Sequence, residues 1–202
     1  MTNSLTFSLD EGVVVVGEVG QIAVLESQAT ESDLRSVEEI SSPSRRAERL
    51  SWRALLRQVE PLAQVEYCGR KPQILNSRYN QISVSHCVDV VAVMLGDSPC
   101  GIDVERVDRN FGRVMSRYMT SAEASLSGQE HWPAVVWCAK EALFKMAGRE
   151  GVDFKRDMEL LSVEHCGIAG RQEWILSARL FDCQVELRGV AIDAEHILVF
   201  TL

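Results

Sequence analysis

Trp137, Glu141 and Lys145 recur at four-residue intervals in the stretch WCAKEALFK, with a second lysine, Lys140, between them. Residues four apart stack on a helix, so this spacing presents an indole, a carboxylate and an ammonium as one stripe. A surface helix stapled by a Glu–Lys pair worth about 0.2–0.5 kcal/mol would account for the pattern without any chemistry. The upstream stretch GIDVE adds what a site needs. Asp103 and Glu105 are two apart, so in an extended strand both carboxylates leave the same face. Carboxylates held together repel unless protonated or bridged by a cation, and a hard divalent ion such as Mg2+ takes one or two carboxylates plus phosphate oxygens.

At 202 residues the chain can bury a sizeable core, as one large domain or two small ones. Its 21 basic and 29 acidic residues give a net charge of −8, which argues against a general nucleic-acid binder while leaving local basic patches open. The six cysteines, Cys68, Cys87, Cys100, Cys138, Cys166 and Cys183, form no CxxC pair. Buried free thiols in a reducing cytosol are the simplest reading. MTNSLTFSLDEG has neither the basic segment nor the long apolar run of a signal peptide, and Val13 to Val16 is too short to span a bilayer. A soluble, cytoplasmic protein is expected.

The elements that must position these residues follow from periodicity. VVVV and IAVLE read as two strands around a glycine-containing turn, and the polar stretch after them as partly helical. Pro43 to Val59 keeps helical spacing, with Ser42 as a cap and Arg46, Arg49, Arg53 and Arg57 on another face. QISVSH and VVAVML read as strands joined near Cys87 to Asp89, and CGIDVE as a further strand. TSAEAS is a cap-like signal, Pro133 opens the helix bearing WCAKEALFK, and EWILSARL, CQVELRGV and HILVF are strand-like. Strands and one long helix occur on either side of Gly96. The expected fold is α+β, with two similar α/β halves, each a small antiparallel sheet plus a long helix.

GIDVE followed about forty residues later by WCAKEALFK resembles the two-part signature of the 4′-phosphopantetheinyl transferases. RRAERLSWRALLR, GRKP at 69–72 and ISVSH at 82–86 resemble the longer, surfactin-synthetase-type branch, and RYMTSAEA at 117–124 resembles the stretch between its main motifs. The resemblance covers about residues 43–150. It implies a pseudo-twofold duplication, with residues 1–97 anchoring the coenzyme A nucleotide, residues 98–202 carrying the Mg2+ site and catalytic helix, and the active site at their interface. The implied reaction moves the phosphopantetheine arm of coenzyme A to a serine of an acyl or peptidyl carrier protein, releasing adenosine 3′,5′-bisphosphate.

By the same resemblance Asp103, Glu105 and Glu141 hold Mg2+. Glu141 is also the base for the carrier serine, directly or through a water, and Lys145 contacts the phosphates and stabilises or protonates the leaving group. Ser85 and His86, at the S-x-S-H strand end, Lys71 and Arg46 are implied to bind coenzyme A, with Arg45, Arg49 and Arg70 as alternative anchors. Trp137 packs beside the site, and Lys140 is either a phosphate contact or solvated. His131, His165 and His196 have no partner motif.

Two features depart from the family pattern. Cys87, Val88 and Asp89 follow His86 where relatives carry a serine or threonine and a basic or glycine residue, and the first forty residues lack the lysines some relatives use near the nucleotide. Arg106, Arg109, Arg113 and Arg117 fall at helical offsets, and would form one stripe for an acidic carrier protein or else a solvated face. Two fused halves would let a monomer suffice. Two rival functions are a coenzyme A or carrier-protein binding module without turnover, and a Mg2+-dependent phosphohydrolase. All four of Asp103, Glu105, Glu141 and Lys145 are present, against the first, and no P-loop is present, against the second.

Overall fold

The computed structural model describes residues 4–69, 71–168 and 170–202. It divides into two compact units, the first ending at Ser98 and the second beginning at Pro99. Both mix helices with antiparallel sheet, as the α+β class requires. No helix among the described residues is long and apolar enough to cross a membrane.

In the first unit, strands β1 (Leu5–Leu9) and β2 (Gly12–Glu18) form a hairpin and are followed by helices α1 (Ile22–Gln28), α2 (Glu31–Val37) and α3 (Pro43–Val59). A second hairpin, β3 (Gln64–Cys68) and β4 (Lys71–Leu75), precedes β5 (Gln81–His86) and β6 (Val90–Gly96). The main sheet runs β1-β2-β6-β5, so the valine-rich β2 and β6 occupy its centre, where strands buried on both faces belong. Helix α3 starts as expected, with Pro43 in its first turn and the Ser42 hydroxyl accepting from the Arg45 N–H. It lays Trp52, Leu55 and Leu56 against Val13, Val15, Val91 and Val93. Asp33 on α2 receives Arg53 and Arg57 from α3, which ties the two helices together.

The second unit begins with β7 (Ile102–Arg106), then a 3-10 turn at Phe111–Arg113 and short helices α4 (Met115–Tyr118) and α5 (Ser121–Ala124). Helix α6 (Trp132–Ala147) follows, and β8 (Met158–Ile168), β9 (Arg171–Leu180), β10 (Cys183–Ala191) and β11 (His196–Thr201) complete the unit. The sheet order is β7-β11-β10-β9-β8, and α6 packs mainly on β7 and β11. It ends at Gly148, whose φ of 60° is the left-handed cap that a residue without Cβ adopts at no steric cost.

Three readings are corrected. Ile22–Gln28, expected as a strand, is helical, and β2 pairs instead with β1. Arg106, Arg109, Arg113 and Arg117 share no helical face, because Arg106 ends β7, Arg109 sits in a turn and only Arg117 lies in a four-residue helix. Of the six free thiols only Cys100 and Cys138 are buried, while Cys68 and Cys183 are exposed. Hairpin β3–β4 and strand β8 add elements that the periodicity did not single out.

Candidate active site

The acidic centre is built where α6 crosses β7. Gly101, just before β7, lies so close to the helix that a Cβ there would come within 1.9 Å of the Ala142 carbonyl oxygen. Only a bare backbone allows that approach. It brings Asp103 and Glu105, alternate residues of β7, towards Glu141 and Lys145, which are one turn apart on α6. Lys145 Nζ donates to Asp103 Oδ1 at 2.7 Å and to the Ile102 carbonyl at 2.8 Å. The lysine of the stripe thus pairs with the strand aspartate, and its helix is a buried core element instead of a surface staple.

The carboxylates feel one another. Burial, and then the charge of Asp103, raise the Glu105 carboxyl above its ordinary value. Burial, and then Asp103, push Glu141 up to about 7, with Glu105 adding to the rise and Lys145 opposing it. Trp137, one turn before Glu141, donates its indole N–H to Glu105 Oε1 at 3.2 Å, and Arg109 pairs with the same oxygen. The Trp137 ring also meets Tyr118 edge-on at 5.1 Å and lies 5.9 Å from Phe154, so an aromatic wall flanks the acidic cluster.

A separate cavity of about 900 Å³ lies within the first unit, between α3 and the β3–β4 hairpin. Arg45, Glu48 and Arg49 line it from the helix, Tyr67 and Pro72 from the hairpin and His86 from the end of β5. Tyr67 and Pro72 are cross-strand partners, and the Arg49 guanidinium lies 5.0 Å over the Tyr67 ring. His86 Nδ1 is 3.2 Å from Glu48 Oε2. Arg46, Ser85 and Lys71, also expected from sequence at the nucleotide end, are not among the residues that line this cavity. Arg46 reaches back to Glu26 at 2.5 Å and to the Val37 carbonyl at 2.7 Å, and is not among the lining residues. Ser85 is buried and alternates with His86 along β5, and Lys71 neighbours the lining residue Pro72 without lining the cavity itself. Arg70 lies outside the described residues. After His86 the Cys87–Asp89 turn closes with the Cys87 N–H on the Val90 carbonyl and leaves Val88 exposed.

Residues 99–198, just under half of the chain and including the whole acidic centre, match a family model. That family is the 4′-phosphopantetheinyl transferase superfamily. No curated protein matches the chain. The superfamily match supports phosphopantetheinyl transfer as the reaction class for the unit that holds Asp103, Glu105, Glu141 and Lys145.

Within the superfamily segment, Lys140 is neither a phosphate contact nor solvated. It is fully buried, 2.6 Å from Glu123 Oε1, and donates to the carbonyls of Phe154 and Met158. Glu123 accepts in addition from the Leu160 and Thr120 N–H groups. Burial works against its charge, yet Lys140 and these donors hold its carboxyl below the ordinary range. The signal for Glu123 was present as a capping pattern, since Thr120 and Glu123 form a capping box on α5. Nothing in the spacing announced its pairing with a helix lysine. Asp103, Glu105 and Glu141 offer carboxylate oxygens, and burial, followed by the charge of Asp103, biases Glu105 and Glu141 towards the neutral form. That donor set fits a hard divalent cation such as Mg2+.

Proposed function

We propose that this protein transfers the 4′-phosphopantetheine arm of coenzyme A to a serine of an apo acyl or peptidyl carrier protein, in a Mg2+-dependent reaction. The observation that carries the reading is the 2.7 Å bond from Lys145 on α6 to Asp103 on β7, the elements that also bear Glu141 and Glu105, inside the segment that matches the superfamily.

In this reading Asp103, Glu105 and Glu141 hold Mg2+, which when bound neutralises the coenzyme A diphosphate and orients it for attack. In this reading Glu141 takes the serine proton, directly or through a water; its pKa of about 7 belongs to the cation-free cluster, and a bound divalent ion would lower it. The serine Oγ bonds to the phosphorus that bears the pantetheine arm. The bond from that phosphorus to the bridging oxygen breaks, and adenosine 3′,5′-bisphosphate leaves. Lys145, already directed to the same cluster by its bonds to Asp103 and the Ile102 carbonyl, neutralises or protonates the leaving phosphate. The aromatic wall of Trp137, Tyr118 and Phe154 restricts water on one flank of the cluster.

The first unit's cavity, in the same reading, takes the nucleotide end. Arg45 and Arg49 with His86 serve the 3′-phosphate, and Tyr67 offers a flat face to the base. This moves the anchoring role from Arg46 to its neighbours. The two units, each with an antiparallel sheet and a long helix, are read as halves of a duplication with a pseudo-twofold relation, active as a cytoplasmic monomer.

The test incubates purified protein with coenzyme A, Mg2+ and an apo carrier protein and weighs the carrier. A gain of one phosphopantetheine group on its serine is expected, lost in Asp103→Ala with the circular dichroism spectrum retained. Coenzyme A binding with no carrier ever modified rejects the transferase.

A further inference from the structure

Glu105 Oε1 accepts from two donors of different kinds, the Trp137 indole N–H at 3.2 Å and the Arg109 guanidinium. Arg109 stands on the turn after β7, with its guanidinium 4.9 Å over the Trp137 ring and 5.6 Å over that of Phe111. Its side chain is nevertheless 45% exposed, whereas that of Glu105 is 18% exposed. Among the described residues Glu105 is the carboxylate it forms an ion pair with, and its charge also reaches Glu141. The acidic centre therefore carries two cations, one for each strand carboxylate: Lys145 with Asp103, and Arg109 with Glu105.

These two cations are not held alike. Lys145 is fixed by a second bond, to the Ile102 carbonyl, and projects from a helix packed on the sheet. Among the described residues Arg109 is held by its ion pair to Glu105 and by stacking over the Trp137 and Phe111 rings, with nearly half of its side chain in solvent. A guanidinium in such a place can exchange a carboxylate for phosphate oxygens, which match its fork of donors equally well.

Resting on the reading of Glu105 as a cation ligand, we propose that Arg109 is a displaceable counter-ion that competes with the divalent cation for Glu105. It weakens loading of the cation alone. It also couples cation loading to arrival of a polyanionic co-substrate, whose phosphate oxygens draw the guanidinium off the carboxylate. Arg109 is then a positioning residue that regulates the acidic centre. It is absent from both halves of the GIDVE and WCAKEALFK signature.

The test is isothermal titration of the full chain with Mn2+ alone, without coenzyme A, on wild type, Arg109→Gln, Arg109→Lys and Asp103→Asn, with melting curves to confirm folding. Arg109→Gln should bind Mn2+ about two- to fivefold tighter than wild type, the range expected when an exposed ion pair is removed from competition. Arg109→Lys, which keeps the charge and loses the planar stack, should stay close to wild type. In a second titration, added coenzyme A should tighten Mn2+ binding more in wild type than in Arg109→Gln. Equal or weaker Mn2+ binding by Arg109→Gln overturns the proposal, as does tightening of Arg109→Lys to the same degree. Tighter binding by Arg109→Gln sustains it even where no carrier protein is modified, so failure of the transferase reading is read separately. If wild type shows no Mn2+ site that Asp103→Asn removes, the cation reading and this proposal fall together.

Discussion

Lys145 Nζ lies 2.7 Å from Asp103 Oδ1, joining the last turn of α6 to the first half of β7. A glutamate four residues before a lysine would ordinarily pair with it along the helix. Here the ammonium turns to the sheet, and Glu141 is left facing two further carboxylates with its own charge disfavoured. Replacing Lys145 with Met should lower transfer by about 10²–10⁴-fold, the range for loss of a positioned acid or base. Because Lys145 lowers the Glu141 pKa, the acid limb of the remaining pH–rate profile should also move to higher pH. An unshifted limb would separate Lys145 from Glu141.

The raised Glu141 pKa has a thermodynamic counterpart. The group goes from 4.5 when free of the fold to about 7 within it, so between those values the folded protein binds more protons than the unfolded one. Its contribution is fully present below about pH 4.5 and is lost as pH rises through about 7. In a chelator the melting temperature should therefore fall across this window, less steeply in Glu141→Gln, where Glu105 alone retains a raised carboxyl. Mg2+ should restore the wild-type melting temperature at the upper end. Parallel curves for wild type and Glu141→Gln would rule out the shift.

Gly101 sets the distance between strand and helix. A methyl group there meets the Ala142 carbonyl at 1.9 Å, so Gly101→Ala must push α6 outward. The overpacking should cost about 1–3 kcal/mol by chemical denaturation. Activity should fall further than that loss explains, because Glu141 and Lys145 ride on the displaced helix. Full activity in a stably folded Gly101→Ala would show that the close approach is not needed.

The Lys140–Glu123 pair is structural, with both side chains fully buried. Lys140→Met leaves the Glu123 carboxylate unpaired inside the core and should destabilise by about 3–5 kcal/mol. Glu123→Gln in the same chain should recover part of that loss, since the neutral amide no longer needs a cation. Equal melting temperatures for the single and double variants would contradict the ion pair.

In the first unit, Arg49→Ala and His86→Ala should raise the coenzyme A KM with kcat little changed, because both line the first unit's cavity and neither belongs to the acidic cluster. Arg46→Ala should instead lower stability modestly, through its lost bonds to Glu26 and the Val37 carbonyl, with the KM unmoved. Steady-state kinetics with melting curves distinguishes the two patterns.

Elements with sustained periodicity were legible in the sequence: α3 with its Ser42 cap, the β5–β6 pair, β7, and α6 opened by Pro133. Ile22–Gln28 was not, because a short apolar run fits a strand as well as a helix. Strand β8 breaks the alternating pattern with a bulge between Leu160 and Ser162. The arginine stripe assumed a continuous helix, whereas β7 extends through Arg106 and the chain then turns before Phe111. Lys140 escaped because burial of a lysine depends on a carboxylate brought in from another element, which spacing along one helix does not encode. The coupling of Asp103, Glu105 and Glu141 was legible because alternate residues of a strand share a face and Glu141 belongs to the stripe on α6.

The most direct measurement is anomalous diffraction from a crystal of the protein grown with Mn2+ and coenzyme A. One metal peak touched by carboxylate oxygens of Asp103, Glu105 and Glu141 and by oxygens of the coenzyme A diphosphate is the predicted result. A metal bound to the diphosphate with Glu141 turned away, or no peak at the acidic centre, would contradict it.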